Sequence, residues 1–193
     1  DPYTGARVAR INPRKGTFLW GYRIDQNGRT FGPSFPAPTI AAESGKPTTV
    51  KIANELVPFR DLDGVVLPGP LLQKFLTVDQ SLNWADPLKT PMKLVGSDPR
   101  TGLAWGNSDF YGGPQPAVVH LHGGIVPSAY DGHPDAWMTP NPRITGAAFV
   151  SDTFRYPNRN QPGTLWYHDH TVGETRLNVY AGLAGFYLVR GDL

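Results

Sequence analysis

Ala117-Val118-Val119-His120-Leu121-His122-Gly123-Gly124 is the stretch on which the reading of this chain turns. A β-branched, apolar run leads into two histidines one residue apart, and two glycines stop it. In an extended strand, residues i and i+2 project from the same face. Both imidazoles therefore leave the backbone on one side. The pattern recurs in Leu165-Trp166-Tyr167-His168-Asp169-His170, so four of the five histidines lie in two such pairs. Side by side, the two strands would offer four nitrogen ligands, a donor set suited to copper, zinc, iron or nickel. The chain contains no cysteine, which excludes a thiolate site. A lone histidine in a strand is most often structural, and one His-x-His is weak evidence for metal. Two pairs, with only His133 left over, favour a metal site.

Outward from these pairs, the chain reads as all-β. Its 193 residues suffice for a sizeable core, and 22 glycines and 20 prolines without a period suit many short strands joined by turns. Strands are expected over 17–24, 48–54, 117–122, 146–150, 164–168 and 180–190. Asn27-Gly28 is a hairpin turn signal. The segment 31–39 carries Pro33, Pro36 and Pro38 and is unsuited to a central strand. A short helix is expected over 171–178, weakened by Gly173. Such a pattern points to a Greek-key sandwich or barrel. Residues 57–113 are broken by glycine and proline and read as a long, partly irregular insertion. Leu71, Leu72, Phe75, Leu76 and Trp84 are expected to pack it down.

Composition removes several functions. Net charge is +2 and charged residues make up 18%. There is no Lys/Arg block, so nucleic-acid binding has little support. No apolar run approaches the ~20 residues of a membrane helix. The chain opens Asp1-Pro2-Tyr3 without an initiator methionine, as a processed or trimmed chain would. It has no Asn-x-Ser/Thr sequon.

Phe35-Pro36-Ala37-Pro38-Thr39-Ile40, Val118–Gly124 and Leu165–His170, followed by Thr175-Arg176-Leu177-Asn178-Val179-Tyr180-Ala181-Gly182-Leu183-Ala184-Gly185, resemble the N-terminal cupredoxin domain of a multicopper oxidase. The closest flavour is bacterial: spore-coat laccase, bilirubin-oxidase-like enzymes and phenoxazinone synthase. The resemblance implies a single cupredoxin-like Greek-key β-sandwich over 1–193 with the insertion at about 57–113. It also implies half of a trinuclear copper centre. His120 resembles the type 2 copper ligand, His122 and His168 resemble two ligands of one type 3 copper, and His170 resembles a ligand of the other. Asp131 falls where related enzymes carry an acidic residue near the type 2 copper. There it could relay protons or orient water; a turn aspartate before Gly132 is the plainer alternative. Asp169 is expected to point away from its flanking histidines, and His133 to lie at the surface or on the substrate side.

By the same resemblance, the type 1 copper needs a cysteine, which this chain lacks. The other four ligands of the trinuclear centre are missing as well. The expectation is an oxidase of phenols or aminophenols that reduces O2 to water. The C-terminal cupredoxin domains, on a cleaved or separate chain, would supply the rest. The isolated chain would be inactive. An extracellular, periplasmic or spore-associated setting is favoured over the cytoplasm. The alternative is a non-catalytic copper-binding module for storage or delivery.

Overall fold

The structure, a computed structural model, describes residues 19–56, 83–87, 89, 114–140 and 142–191. The described residues form strands, one short α-helix and a single 3-10 turn at Ser128–Tyr130. β1 (Ile24–Gln26) and β2 (Arg29–Phe31) form a hairpin. Between them Asn27 and Gly28 both adopt positive φ, 51° and 74°, as a tight two-residue turn requires. β3 (Ala37–Glu43), β8 (Ala184–Arg190), β7 (Gly163–Asp169) and β5 (Val119–His122) form a four-stranded sheet in that order. β3 runs parallel to β8, and the other neighbours are antiparallel. β4 (Thr48–Lys51) and β6 (Thr153–Tyr156) form a second, antiparallel sheet.

The core lies between these two sheets. Ala42, Val119, Leu121, Tyr167, Tyr187 and Val189 contribute from one, and Phe154 and Tyr156 from the other. Alternation explains the choice of residues. Leu165, Tyr167 and Leu121 face inward, so Trp166, His168, His120 and His122 must face outward. Two aromatic contacts close the layer: Tyr156 and Tyr187 meet edge to face at 5.8 Å, and Tyr22 packs on Tyr167 at 5.2 Å. Pro38 sits in β3, an edge strand, where a missing N–H is tolerated.

Several expectations need correcting. The first strand begins at Ile24, and the described residues 19–23 are irregular. Residues 146–150 form a turn rather than a strand: Gly146 approaches the Asp135 carbonyl so closely that an added Cβ would lie 2.1 Å from it. The strand of this region is instead β6, whose alternation of Phe154 and Tyr156 with Thr153 and Arg155 was overlooked. The helix α1 is Thr175–Tyr180, delayed by Gly173 at φ 73°, and the last strand starts four residues later than expected, at Ala184. Most of the insertion over 57–113, including Leu71, Leu72, Phe75 and Leu76, lies outside the described residues. Within it, Ala85 is buried and its N–H donates to the Val172 carbonyl at 2.8 Å, while Trp84 packs against Gly173.

Candidate metal centre

β5 and β7 are adjacent, and His120 lies directly opposite His168 in their register. This pairing brings both histidine pairs onto the face of the sheet that points away from the core. His120, His122 and His168 each place a ring nitrogen within 4.8 Å of the others. His170, just beyond the end of β7, stacks on His120 with ring centroids 4.5 Å apart and planes at 23°. The four sequence-predicted ligands therefore form one cluster. His133 does not join it; it is exposed, and its Nδ1 accepts the N–H of Asp135 at 3.1 Å.

Three of the four rings are oriented by backbone carbonyls. His170 Nδ1 donates to the Gly132 carbonyl at 2.8 Å, and His168 Nδ1 to the Asp169 carbonyl at 2.7 Å. His120 Nδ1 donates to the Asp131 carbonyl. Each bond fixes the tautomer with its proton on Nδ1 and leaves the Nε2 lone pair free for a metal. His122 is the exception, because it presents Nδ1. That atom lies 3.2 Å from His168 Nε2. Two nitrogens bound to one ion at ~2.0–2.1 Å in tetrahedral geometry would stand roughly 3.3 Å apart. The donor set thus fits a first-row metal ion shared by His122 and His168.

Charge state reinforces the fit. His168 is only 4% exposed. Burial, and then the three neighbouring imidazoles, push its pKa down to about 4, against the opposing pull of the Asp169 carbonyl. At neutral pH it is an uncharged imidazole, the form a metal would take as ligand. Trp166 stacks on its ring at 4.0 Å and 30°, shielding one side.

Asp131 stands beside the cluster by two routes. Its carbonyl holds His120, and its half-exposed carboxylate has Oδ1 3.5 Å from His120 Nδ1. Gly132, which sequence reasoning treated only as a turn residue, proves essential to this arrangement. It adopts φ 73°, and a Cβ there would sit 2.1 Å from the Val119 carbonyl oxygen. Only glycine lets the loop press on β5 and deliver two consecutive carbonyls to His120 and His170.

Asp169 does point away from its flanking histidines and is fully buried. Its Oδ1 accepts from the Val118 N–H at 3.1 Å and the Thr171 hydroxyl at 2.8 Å. Oδ2 accepts from the Thr171 N–H and from Asn178 Nδ2, both at 3.0 Å. Burial raises its pKa to about 6 against those four donors. Asn178 was also missed. In the sequence it is an ordinary polar residue; its need for partners shows only in the fold, where it is fully buried on α1.

A multicopper oxidase family model matches residues 112–193. The chain is 36% identical to a laccase of Bacillus stratosphericus over 160 residues, which cover 83% of this chain and 24% of that protein. It is 33% identical to a laccase of Bacillus subtilis over 173 residues, covering 90% and 25%. A solved multicopper oxidase from Campylobacter jejuni aligns with TM-score 0.46 and 16% identity over 91% of this chain and 25% of that one. The chain spans about a quarter of the length of these relatives.

Proposed function

Because the chain belongs to the multicopper oxidase family, we propose that it supplies four histidines to an oxygen-reducing copper cluster completed by a partner. In this reading His120 holds the type 2 copper, His122 and His168 share one type 3 copper, and His170 holds the other. Asp131, beside His120, holds or passes protons next to the cluster. Copper bound there would supply the one-electron chemistry that oxidises phenols or aminophenols and reduces O2 to water. Everything else falls to the chain. The carbonyls of Asp131, Gly132 and Asp169 aim the imidazoles, burial keeps His168 neutral, and Trp166 covers it.

The observation that carries this reading is the shared orientation of His122 Nδ1 and His168 Nε2, 3.2 Å apart, within a row of carbonyl-held imidazoles. The same face also supports a partner. His122 and Phe186 are exposed, and Trp166 is 37% exposed. A partner carrying the type 1 cysteine and the other four histidines would cover this face. It would also exclude bulk water from the cluster.

The test is copper loading followed by oxygen uptake with a phenol. The chain alone should bind copper through imidazole nitrogen, show no intense blue absorption and sustain no turnover. Adding the cysteine-bearing cupredoxin domains should restore turnover. Sustained oxygen reduction by the chain alone would overturn the shared-cluster reading. Copper binding with no gain on adding those domains would favour a storage or delivery module.

A further inference from the structure

β5 is short, four residues, and lies at the edge of its sheet. Only four residue pairs join it to β7. A slip of one residue would turn His120 and His122 to the opposite face; burial of Val119 and Leu121 opposes it, but through only two core side chains. Contacts beyond the ends of so short a ladder can add to that hold and keep the two histidine strands in step.

We propose that Asp169 and Asn178 are positioning residues that pin this register from the core side of the sheet. Asp169 closes the ladder at its Val119↔Asp169 pair. Its carboxylate accepts the N–H of Val118, the residue before β5, while the His170 N–H donates to the Val118 carbonyl at 2.9 Å. Both backbone groups of Val118 are thus claimed by the second histidine motif. A carboxylate needs its own orientation fixed to act this way, and Asn178 fixes it through Nδ2. Asn178 is anchored in turn. Its side-chain oxygen accepts from Gln115 Nε2 at 3.2 Å, and its carbonyl accepts from the Leu183 N–H at 3.1 Å. Gln115 precedes β5 and Leu183 precedes β8, so Asn178 ties α1 to the approach of β5 through its side chain and to that of β8 through its backbone carbonyl. Leu183 also accepts the Asp169 N–H at 3.1 Å, which closes the loop.

The inference rests on the copper-site reading above but makes a separate claim about strand register. The test compares the 193-residue chain with Asn178→Leu, Asp169→Asn and the reversed pair Asp169→Asn/Asn178→Asp, well below each unfolding midpoint. Two readouts are taken: cross-strand NOEs between residues 120 and 168 without metal, and copper(II) titration followed by electron paramagnetic resonance. Asn178→Leu should keep its strand content, lose or broaden the 120–168 NOEs, bind copper(II) at least tenfold more weakly and change its nitrogen hyperfine pattern. The reversed pair restores one hydrogen bond across residues 169 and 178 and should recover part of the affinity lost in Asp169→Asn. If the single variants only unfold at lower temperature, with NOEs, affinity and spectrum unchanged, the positioning role is wrong. If the NOEs are lost in Asn178→Leu but the unaltered chain binds no copper(II), the register claim stands and the copper-site reading fails.

Discussion

Gly132 shows how much of the metal centre depends on backbone rather than side chains. Its carbonyl holds His170 and its neighbour's holds His120. Gly132→Ala would combine positive φ with a Cβ 2.1 Å from the Val119 oxygen. The variant should lose at least ~2 kcal/mol of stability, as strained and overpacked sites do, and thermal unfolding would register it. Copper affinity should fall as well, since the loop must back away from both rings. Asp131→Asn is the contrasting case. The carbonyl that holds His120 remains, and only the carboxylate charge is lost. Copper binding should stay within a few-fold, while the pH profile of oxygen reduction by the completed enzyme should shift. An unchanged profile would remove Asp131 from proton handling and leave it a turn residue. At this scale the sequence was legible in part. The histidines announce themselves by their spacing. The carbonyls that aim them belong to every residue alike, and an Asp-Gly turn looks the same whether or not it touches a ligand.

Strands with strict alternation were legible, because a half-buried sheet demands a period of two. That is how β5 and β7 could be placed to within two residues at either end. The apolar run at 146–150 misled for the opposite reason. Its small residues serve a close backbone approach at Gly146 rather than a ladder. The helix was placed early because its entry is governed by Gly173 and a buried acid. Glu174, at the N-cap of α1, is 1% exposed, and burial pushes its pKa up to about 8 from 4.5. A carboxyl raised in the folded state binds its proton more tightly there than in the unfolded chain. Its stabilisation is complete below about pH 4.5 and is lost as pH rises toward about 8. His168, lowered to about 4, works in the opposite sense: stability is lost as pH falls from about 6.5 toward 4. The two oppose each other in mildly acidic solution, and Asp169, raised to about 6, adds to the acid side there. Above about pH 6.5 the histidine is neutral in both states, so the Glu174 effect should stand out. Between pH 6.5 and 8 the metal-free chain should lose stability with a slope of up to ~1.4 kcal/mol per pH unit. Glu174→Gln should flatten that slope in denaturant titrations. An equal slope in both proteins would mean that Glu174 is already ionised when folded.

At the scale of the whole molecule, the sheet has two unequal faces. The inner one is filled by Leu121, Tyr167 and Tyr187, each under 5% exposed. The outer one carries the four clustered histidines and, beside them, a cross-strand pair of aromatics, Trp166 opposite Phe186. Phe186 is 48% exposed. Scattered apolar exposure is ordinary, but these aromatics border the histidine cluster, where the proposed partner would dock. Phe186 is the residue that can separate the proposed docking from the proposed metal binding. Trp166 stacks on His168, so altering it would confound the two proposals. Phe186→Lys exchanges an exposed ring for a solvated charge, and surface changes of this kind typically shift stability by no more than ~0.5 kcal/mol. Copper(II) affinity of the chain alone should stay within about twofold. Association with the cysteine-bearing domains should weaken tenfold or more, because a buried, unpaired ammonium would replace an aromatic contact. Activity recovered on mixing should fall in parallel and return at high partner concentration. Undiminished association would place the partner elsewhere, and the trinuclear reading would then have no neighbour to supply its missing ligands.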